Sequence, residues 1–104
     1  MSMVHVLAVI TAKPGKRAEI LEAFNNNVPA VHAEQGCIEY GAAVDADGVG
    51  PFQTKMGEET FVVIEKWESL DALMAHAAAD HMKAYAAKTK DLIADRKVHV
   101  LSSA

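Results

Sequence analysis

The stretch Thr60-Phe61-Val62-Val63-Ile64-Glu65-Lys66-Trp67 decides the fold. Its β-branched and aromatic residues favour a β-strand. Because successive side chains of a strand point to opposite faces, the apolar run from Phe61 to Ile64 covers both faces. The stretch therefore predicts a strand that needs an apolar neighbour on each side.

The residues after this strand predict two helical segments and a last strand. Ser69 is a suitable helix N-cap, and Asp71 lies in the first turn, where a negative charge is favourable. A short helix follows, and we expect Asp80 to cap a second helical segment. Lys97–Leu101 predicts a short fourth strand. The apolar face of the first segment consists of Leu70, Leu73, Met74 and Ala77, and that of the second consists of Met82, Tyr85, Ala86, Thr89 and Ile93.

The first half of the chain repeats this order. Val4–Ala12 predicts a strand that is again apolar on both faces, and Cys37–Asp45 predicts a second strand. Four apolar residues predict a helix between them, with Pro29 expected to kink or restart it and Gly36 to end it. Residues 45–58 are rich in glycine and predict a long loop, either a lid or an arm onto a partner. The four helix residues are Leu21, Phe24, Val28 and Val31.

The element order β-α-β, loop, β-α-β predicts the α+β class and a ferredoxin-like split βαβ fold in a single domain of residues 1–104. Right-handed crossovers place the helical segments on one face of an antiparallel sheet. The other face would then expose a large apolar surface, which soluble monomers avoid. We therefore expect a homodimer in which two sheets face each other. The alternative is that the long loop or the C-terminal residues cover that face.

The composition argues against several classes of protein. Fourteen acidic and ten basic residues give a net charge of −4, which disfavours nucleic acid as a partner because phosphate recognition needs a basic face. No apolar run reaches the ~18 residues of a membrane span. Cys37 is the only cysteine, so an intramolecular disulfide is excluded. With no recognisable secretory signal, we expect a cytoplasmic protein.

Glu65 and Trp67 are two residues apart on the predicted strand and share one of its faces with Phe61. A carboxylate within so apolar a strand is costly unless it has a partner. Two interpretations of Glu65 are open. It either lies at the end of the sheet, bound to backbone donors or to a Lys or Arg, or acts as a pocket acid or base with a pKa raised by burial. Trp67 belongs either to the core or to the wall of an aromatic-binding cleft.

His76 and His81 are the second candidate pair. On one continuous helix, five positions place them about 140° apart, which disfavours a shared site. If Asp80 restarts the helix, the two side chains can converge, with His76 near a helix C-terminus and His81 in a first turn. The helix dipole then favours the charged form of His76 and the neutral form of His81. The alternative is that both are surface or capping residues.

Three stretches of the chain resemble the antibiotic biosynthesis monooxygenase superfamily, and most closely its bacterial quinol monooxygenase members. The resemblance extends from about Val4 to Leu101. It implies a dimeric α+β barrel, with a cleft between sheet and helices in each subunit. The stretches are Glu34-Gln35-Gly36-Cys37-Ile38-Glu39-Tyr40, Val63-Ile64-Glu65-Lys66-Trp67-Glu68-Ser69, and His76 together with His81-Met82-Lys83-Ala84-Tyr85.

The resemblance also implies oxidation of a quinol or polyphenol by O₂ without flavin, haem or metal. A hydroquinone deprotonated in an apolar pocket is electron-rich enough to reduce O₂, so the protein must supply a base, orientation and dryness. The candidate catalytic bases are Glu65, His76 and His81. We expect a small aromatic substrate, no cofactor and no metal site. The candidate substrate-binding residues are Phe61, Trp67, Met74 and Met82 as walls, with Tyr40 and Tyr85 orienting a phenol.

Other branches of the superfamily give alternatives. Haem-degrading relatives use a helix histidine beyond His81, but residues 86–88 contain none, so haem is not expected. An autoinducer-processing isomerase branch shares the frame from His76 to His81 and moves a proton in a small phosphorylated keto compound without O₂. Arg or Lys side chains facing the cleft would favour this isomerase. A non-catalytic dimer that binds aromatic compounds is the third interpretation.

Overall fold

The computed structural model describes residues 3–104. No helix within these residues has both the length and the apolar character needed to cross a membrane. The elements in chain order are β1 (Val4–Ala12), α1 (Arg17–His32), β2 (Cys37–Ala43), β3 (Thr60–Trp67), α2 (Leu70–Ala77), α3 (Asp80–Thr89), a 3-10 turn (Lys90–Leu92) and β4 (Ile93–Ser102).

The four strands form one antiparallel sheet in the order β2-β3-β1-β4. Each βαβ unit therefore has a strand of the other unit between its own two strands, and this interleaving defines the ferredoxin-like fold. The predicted α+β class and ferredoxin-like architecture are confirmed. Val4 of β1 lies opposite Ser102 of β4, so residues near the two ends of the described chain are neighbours.

One face of the sheet packs against the helices. Along β1 and β3, every second side chain is buried on this face. From α1, the ring of Phe24 stacks on Tyr40 of β2, with 5.1 Å between the ring centroids. Each fully buried large apolar side chain contributes about 1.5–3 kcal/mol to stability. The core includes Val4, Val6, Ala8, Ile10, Ile20, Phe24, Val31, Phe61, Val63 and Trp67.

The other face of the sheet carries a second set of apolar side chains, outside this core. Leu7 is 36% exposed and Ile64 is 40% exposed, and the two lie directly opposite each other on β1 and β3. Val9 and Val62, which also face each other, are half-buried. Both central strands are therefore apolar on two faces, as the sequence predicts.

Helix α1 differs from its prediction at both proposed breakpoints. It runs through Pro29 and ends at His32, so the restart, one of the two outcomes predicted at Pro29, does not occur, and the predicted end at Gly36 is wrong. Pro29 lies in the last turn, where its missing N–H removes only the bond to the carbonyl of Asn25. Because Asn25 is exposed, water can replace that bond.

Gly36 belongs instead to the turn between α1 and β2. Its φ of +87° is rare for residues with a Cβ, and a Cβ at this position would lie 2.7 Å from the Cβ of Ala72 in α2. Its carbonyl accepts a hydrogen bond of 2.9 Å from the backbone N–H of Glu68. Gly36 thus lets the turn pack directly against the start of α2.

The second half of the chain differs from prediction at two boundaries. Asp80 is the first residue of α3 rather than its cap, since Ala79 occupies the cap position and no side chain bonds to the backbone there. Ile93 belongs to β4 and not to the helix face, because the 3-10 turn follows α3 and Ile93 pairs with Ala12. Strand β4 accordingly has ten residues, twice the predicted length.

The long loop begins at residue 44, because β2 ends at Ala43 rather than at Asp45. The two carboxylate oxygens of Asp45 accept hydrogen bonds of 2.9 Å from the backbone N–H groups of Met56 and Gly57. These bonds close the base of the loop. Within it, the side chain of Phe52 is 84% exposed. The role of the loop as a lid or an arm stays a prediction.

Candidate functional site

A cavity of about 390 Å³ lies between the inner face of the sheet and helices α2 and α3. Most of its wall is apolar, with contributions from all four strands. An apolar cavity with a few converging polar groups is typical of a small-molecule site. The polar side chains that line it are Tyr40, Glu65, His76, Lys83, Tyr85 and Arg96.

Glu65 supplies the carboxylate of this cavity and is 8% exposed. The indole N–H of Trp67 donates a hydrogen bond of 2.9 Å to its Oε1. Burial raises the pKa of Glu65 above its ordinary 4.5, opposed by the Trp67 hydrogen bond and by the charges of His76 and Arg96, while Glu34 adds to the rise. The hydrogen-bond partner of Glu65 is therefore an indole, whereas the first interpretation expects backbone donors or a Lys or Arg.

His76 lies in the last turn of α2 and is 4% exposed. Its Nδ1 is 2.9 Å from Oε2 of Glu34, and its Nε2 is 3.9 Å from Oε1 of Glu65. The imidazole also packs against the indole of Trp67, with 4.6 Å between ring centroids. His76 thus connects the two carboxylates, one on each side of its ring.

His81 reaches the same Glu34 oxygen from the first turn of α3. Its Nε2 lies 2.9 Å from Oε2 of Glu34, and its Nδ1 donates to Oδ1 of Asn27 across 3.2 Å. The break between α2 and α3 removes the ~140° separation of a continuous helix. His76 and His81 therefore converge, as expected if the helix restarts, and Glu34 joins them.

The Nε2 contact of His81 has an unusual geometry. Nε2 is buried, and within residues 3–104 it has no well-aligned hydrogen-bond partner, although the Glu34 oxygen is only 2.9 Å away. The two atoms are therefore in close contact, but the direction from Nε2 to the oxygen lies outside the range of a hydrogen bond. Buried polar atoms without an aligned partner are uncommon in folded proteins.

These contacts form one continuous polar chain from β3 to α1. Asn27 ends it by donating from Nδ2 to Sδ of Met82 across 3.4 Å, which ties α1 to α3. The turn that carries Glu34 is fixed by Gly36 and its close approach to α2. We call this set the polar chain; its members in order are Trp67, Glu65, His76, Glu34, His81 and Asn27.

The two tyrosines of the cavity carry neutral hydroxyl groups. Burial raises the pKa of Tyr40, and the nearby charge of Glu65 adds to the rise. Burial also raises the pKa of Tyr85, opposed by Arg96 and by a hydrogen bond with Thr89. Both hydroxyls therefore keep their protons at neutral pH and are available as hydrogen-bond donors.

The structure brings most of the predicted site residues to the cavity. Besides Glu65 and His76, it lines the cavity with Tyr40, Met74, Met82 and Tyr85, of which Met74 is 60% exposed. Phe61 and Trp67 are fully buried in the core and do not line it. His81 lies behind the wall, in contact with Glu34. The catalytic and substrate-binding roles of all these residues stay predictions.

Four residues of the site were not singled out from the sequence: Asn27, Glu34, Lys83 and Arg96. Glu34 lies within a stretch that carries the family resemblance, but its partners come from distant elements. Arg96 alternates with Val98 and Val100, and a strand predicted to start earlier than Lys97 would have placed it on the same face. Asn27 has no local signal, because its contacts depend on how α1 packs against α3.

Comparison with known proteins identifies the family. The family model described as Antibiotic biosynthesis monooxygenase matches residues 3–88. The probable quinol monooxygenase YgiN of Escherichia coli (strain K12) is 37% identical over 101 residues, covering 95% of this chain and 96% of YgiN. YcnE of Bacillus subtilis (strain 168) is 35% identical over 92 residues, covering 88% of this chain and 86% of YcnE.

Solved structures agree with this result. Rv0793 from Mycobacterium tuberculosis superposes with a TM-score of 0.81 at 26% identity, covering 99% of this chain and 96% of that one. PA3566 from Pseudomonas aeruginosa gives a TM-score of 0.83 at 23% identity, covering 100% and 96%, and supports the fold. The family model and the two sequence relatives together leave one conclusion: the chain belongs to the antibiotic biosynthesis monooxygenase family.

Proposed function

We propose that this protein is a monooxygenase that oxidises a quinol or polyphenol with O₂ and uses no cofactor. The observation that carries the proposal is a buried carboxylate, Glu65, beside an imidazole, His76, on the wall of a mostly apolar cavity. Membership of a monooxygenase family and 37% identity to a probable quinol monooxygenase support it.

The arrangement suits a reaction that begins with removal of a phenolic proton. A carboxylate with a raised pKa is a stronger base than one in water, and Nε2 of His76 lies 3.9 Å from it, so either group can accept the proton. The resulting phenolate, held in apolar surroundings, donates an electron to O₂. One oxygen atom enters the ring and the other leaves as water, so a quinol plus O₂ gives a hydroxyquinone plus water with no added reductant.

The other cavity residues would hold the ring in place. The neutral hydroxyls of Tyr40 and Tyr85 are suited to donate to the substrate oxygens, and Met74 and Met82 to contact the ring faces. Trp67 supports the base from the core by donating to Glu65. Phe61 would act only as a core residue beneath the site.

The same proposal includes a homodimer, formed by the sheet face that lies outside the core. Leu7, Val9, Val62 and Ile64 form an apolar surface in the middle of that face. A two-fold axis through this surface would place the same residues of a second copy against it and remove both from water. The helices and the cavity of each subunit would then lie on the outside of the pair.

Oxygen uptake by metal-free protein with chemically reduced 1,4-naphthoquinone tests the proposal. We expect uptake well above autoxidation, with one ¹⁸O atom from ¹⁸O₂ in the hydroxyquinone product. His76→Ala should lower kcat by about 10²–10⁴-fold, the usual loss for an acid–base group. Asn26→Ala, outside the cavity and the polar chain, should retain full activity. Uptake that yields only quinone and hydrogen peroxide, or that depends on added metal, contradicts the proposal.

One observation favours the isomerase as a second candidate. Lys83 and Arg96 line the cavity, and neither has an acidic partner within 4.0 Å among residues 3–104. Two cations without such partners suit a substrate with a phosphate or carboxylate group. Turnover of a phosphorylated ketone at the same rate with and without O₂ would support the isomerase and contradict the proposed monooxygenase reaction. Binding of aromatic compounds without turnover would instead indicate a binding protein.

A further inference from the structure

The polar chain leads from the cavity to a separate groove between two helices. His76 lines the cavity, whereas His81 lines a separate groove of about 230 Å³ between α1 and α3. Exposure of the side chains rises along the path, from 5% for His76 to 17% for Glu34 and 29% for His81. The path therefore gives the polar groups of the cavity a connection to solvent through a separate groove.

Each link along this path is within reach of a proton. Oε2 of Glu34 is 2.9 Å from Nδ1 of His76 and 2.9 Å from Nε2 of His81. Because the second contact is poorly aligned, a small rotation of the His81 ring would make or break that link. At the outer end, Nδ1 of His81 meets Asn27, which lines the same groove.

We propose that Glu34 and His81 form a proton relay between the cavity and solvent, with His76 as its inner end. This inference rests on the proposed oxidation and gives His81 a role other than that of the base. Transfer of a phenolic proton to Nε2 of His76 moves the Nδ1 proton to Glu34 and then to Nε2 of His81. His81 releases its Nδ1 proton to water in the groove.

The relay must work in both directions. Oxidation of a quinol to a hydroxyquinone and water releases no net proton, but a proton leaves the phenol at the start and one must reach oxygen when the O–O bond breaks. The same path reversed supplies this second proton, and each N–H bond that breaks is matched by one that forms. The relay thus returns the polar chain to its starting charge after each turnover.

Several titratable groups face the two ends of the relay. Glu65 from β3 and Tyr40 from β2 lie at the His76 end, and Arg96 from β4 lines the same cavity. At the His81 end, Tyr85 and Lys88 from α3 line the groove. Among residues 3–104, Lys88 is the one Lys, Arg, Asp or Glu that lines the groove, so Lys88→Gln serves as a control for its charge in the rescue experiment.

Chemical rescue tests the relay in the whole enzyme. His81→Ala should lower kcat about tenfold with KM unchanged, and tens of millimolar imidazole should restore the rate because a small base in the groove replaces the missing ring. Glu34→Gln should lower kcat, and imidazole should not restore the rate, since the missing link of the relay then lies inside the protein. Asn26→Ala, in the same groove, should show no dependence on buffer. A wild-type rate in His81→Ala, or a loss that imidazole does not restore, overturns the relay.

A measurement without substrate separates this inference from the proposed oxidation. In ¹⁵N NMR spectra, exchange of the His76 Nδ1 proton with water should be slower in Glu34→Gln than in the wild type, because the relay is the path of that proton to the groove. Asn26→Ala should leave this exchange rate unchanged. An exchange rate that Glu34→Gln does not lower would overturn the relay, whether or not the protein oxidises quinols. A lowered rate in a protein without quinol activity would refute only the oxidation.

Discussion

At the scale of the single residue, Glu65 links the protonation of the cavity to the stability of the fold. Its raised pKa means that the folded state binds this proton more tightly than the unfolded chain does. The resulting stabilisation is complete below pH 4.5, the ordinary value for this side chain. It is lost as the pH rises through the raised pKa of the folded state.

Replacing Glu65 by Gln should remove this pH dependence, because Gln is neutral and keeps an oxygen to accept from Trp67. We expect the free energies of unfolding of the two proteins to run parallel below pH 4.5. Above it, the wild type should lose stability relative to Glu65→Gln. Urea unfolding between pH 3.5 and 7.5 measures the difference, and a constant offset over the whole range would contradict the expectation.

Three ionisable residues of the site were singled out from the sequence, but the contacts that connect them were not. Glu65 stands out because a carboxylate within an apolar strand is costly unless it has a partner, and His76 and His81 stand out as a pair on either side of the predicted helix restart. The convergence of the two histidines follows from the helix break. Glu34 and Asn27 become partners only through the packing of α1 and its turn against α2 and α3, and such long-range contacts have no local pattern.

At the scale of the element, Gly36 controls how closely the turn before β2 approaches α2. Gly36→Ala should cost about 1–2 kcal/mol for the positive φ and about 1–3 kcal/mol more for the overlap with Ala72. Gly15→Ala is the matched control, because Gly15 also has a positive φ, +76°, but no atom within 4 Å of the added Cβ. Urea unfolding of both variants should show the larger loss at Gly36; equal losses would show that the close approach costs nothing.

The base of the long loop gives a second prediction at this scale. Two backbone hydrogen bonds hold the pKa of Asp45 below its ordinary value. Asn at this position has one acceptor oxygen, so Asp45→Asn should leave the backbone N–H of either Met56 or Gly57 without its acceptor. Because a hydrogen bond contributes about 1 kcal/mol, exchange of the freed amide hydrogen should be about fivefold faster. Asp47→Asn, in the same loop, is the control and should leave both amides unchanged.

Central strands were easier to predict than helix ends and the edge strand. The boundaries of β1 and β3 follow from runs that are mostly apolar and β-branched, because both faces of a central strand are covered. Strand β4 lies at the edge, where its first residues, Ile93 to Arg96, alternate without a strong apolar pattern. Pro29 predicts a break, but in a last turn only one hydrogen bond is lost, so the helix continues.

At the scale of the whole molecule, the apolar sheet face gives a prediction for the assembly. Ile64→Lys should weaken the proposed dimer about tenfold or more, because two lysines would face each other near the two-fold axis without water. Leu70→Lys is the matched control: Leu70 is 54% exposed and lies on α2, away from this face. Analytical ultracentrifugation of the wild type, Ile64→Lys and Leu70→Lys measures the dimer dissociation constants. A wild-type monomer at micromolar concentration would refute the dimer.

The pairing of Val4 with Ser102 has a consequence for the order of the chain. A short peptide joining the two ends would turn β4 and β1 into a hairpin, and the circle could be cut open within the long loop near Phe52. The permuted chain would run β3-α2-α3-β4-β1-α1-β2 and keep every strand neighbour. Its β1–β4 pairing would become local, which shortens the mean sequence separation of contacts and should make this version fold faster than the parent.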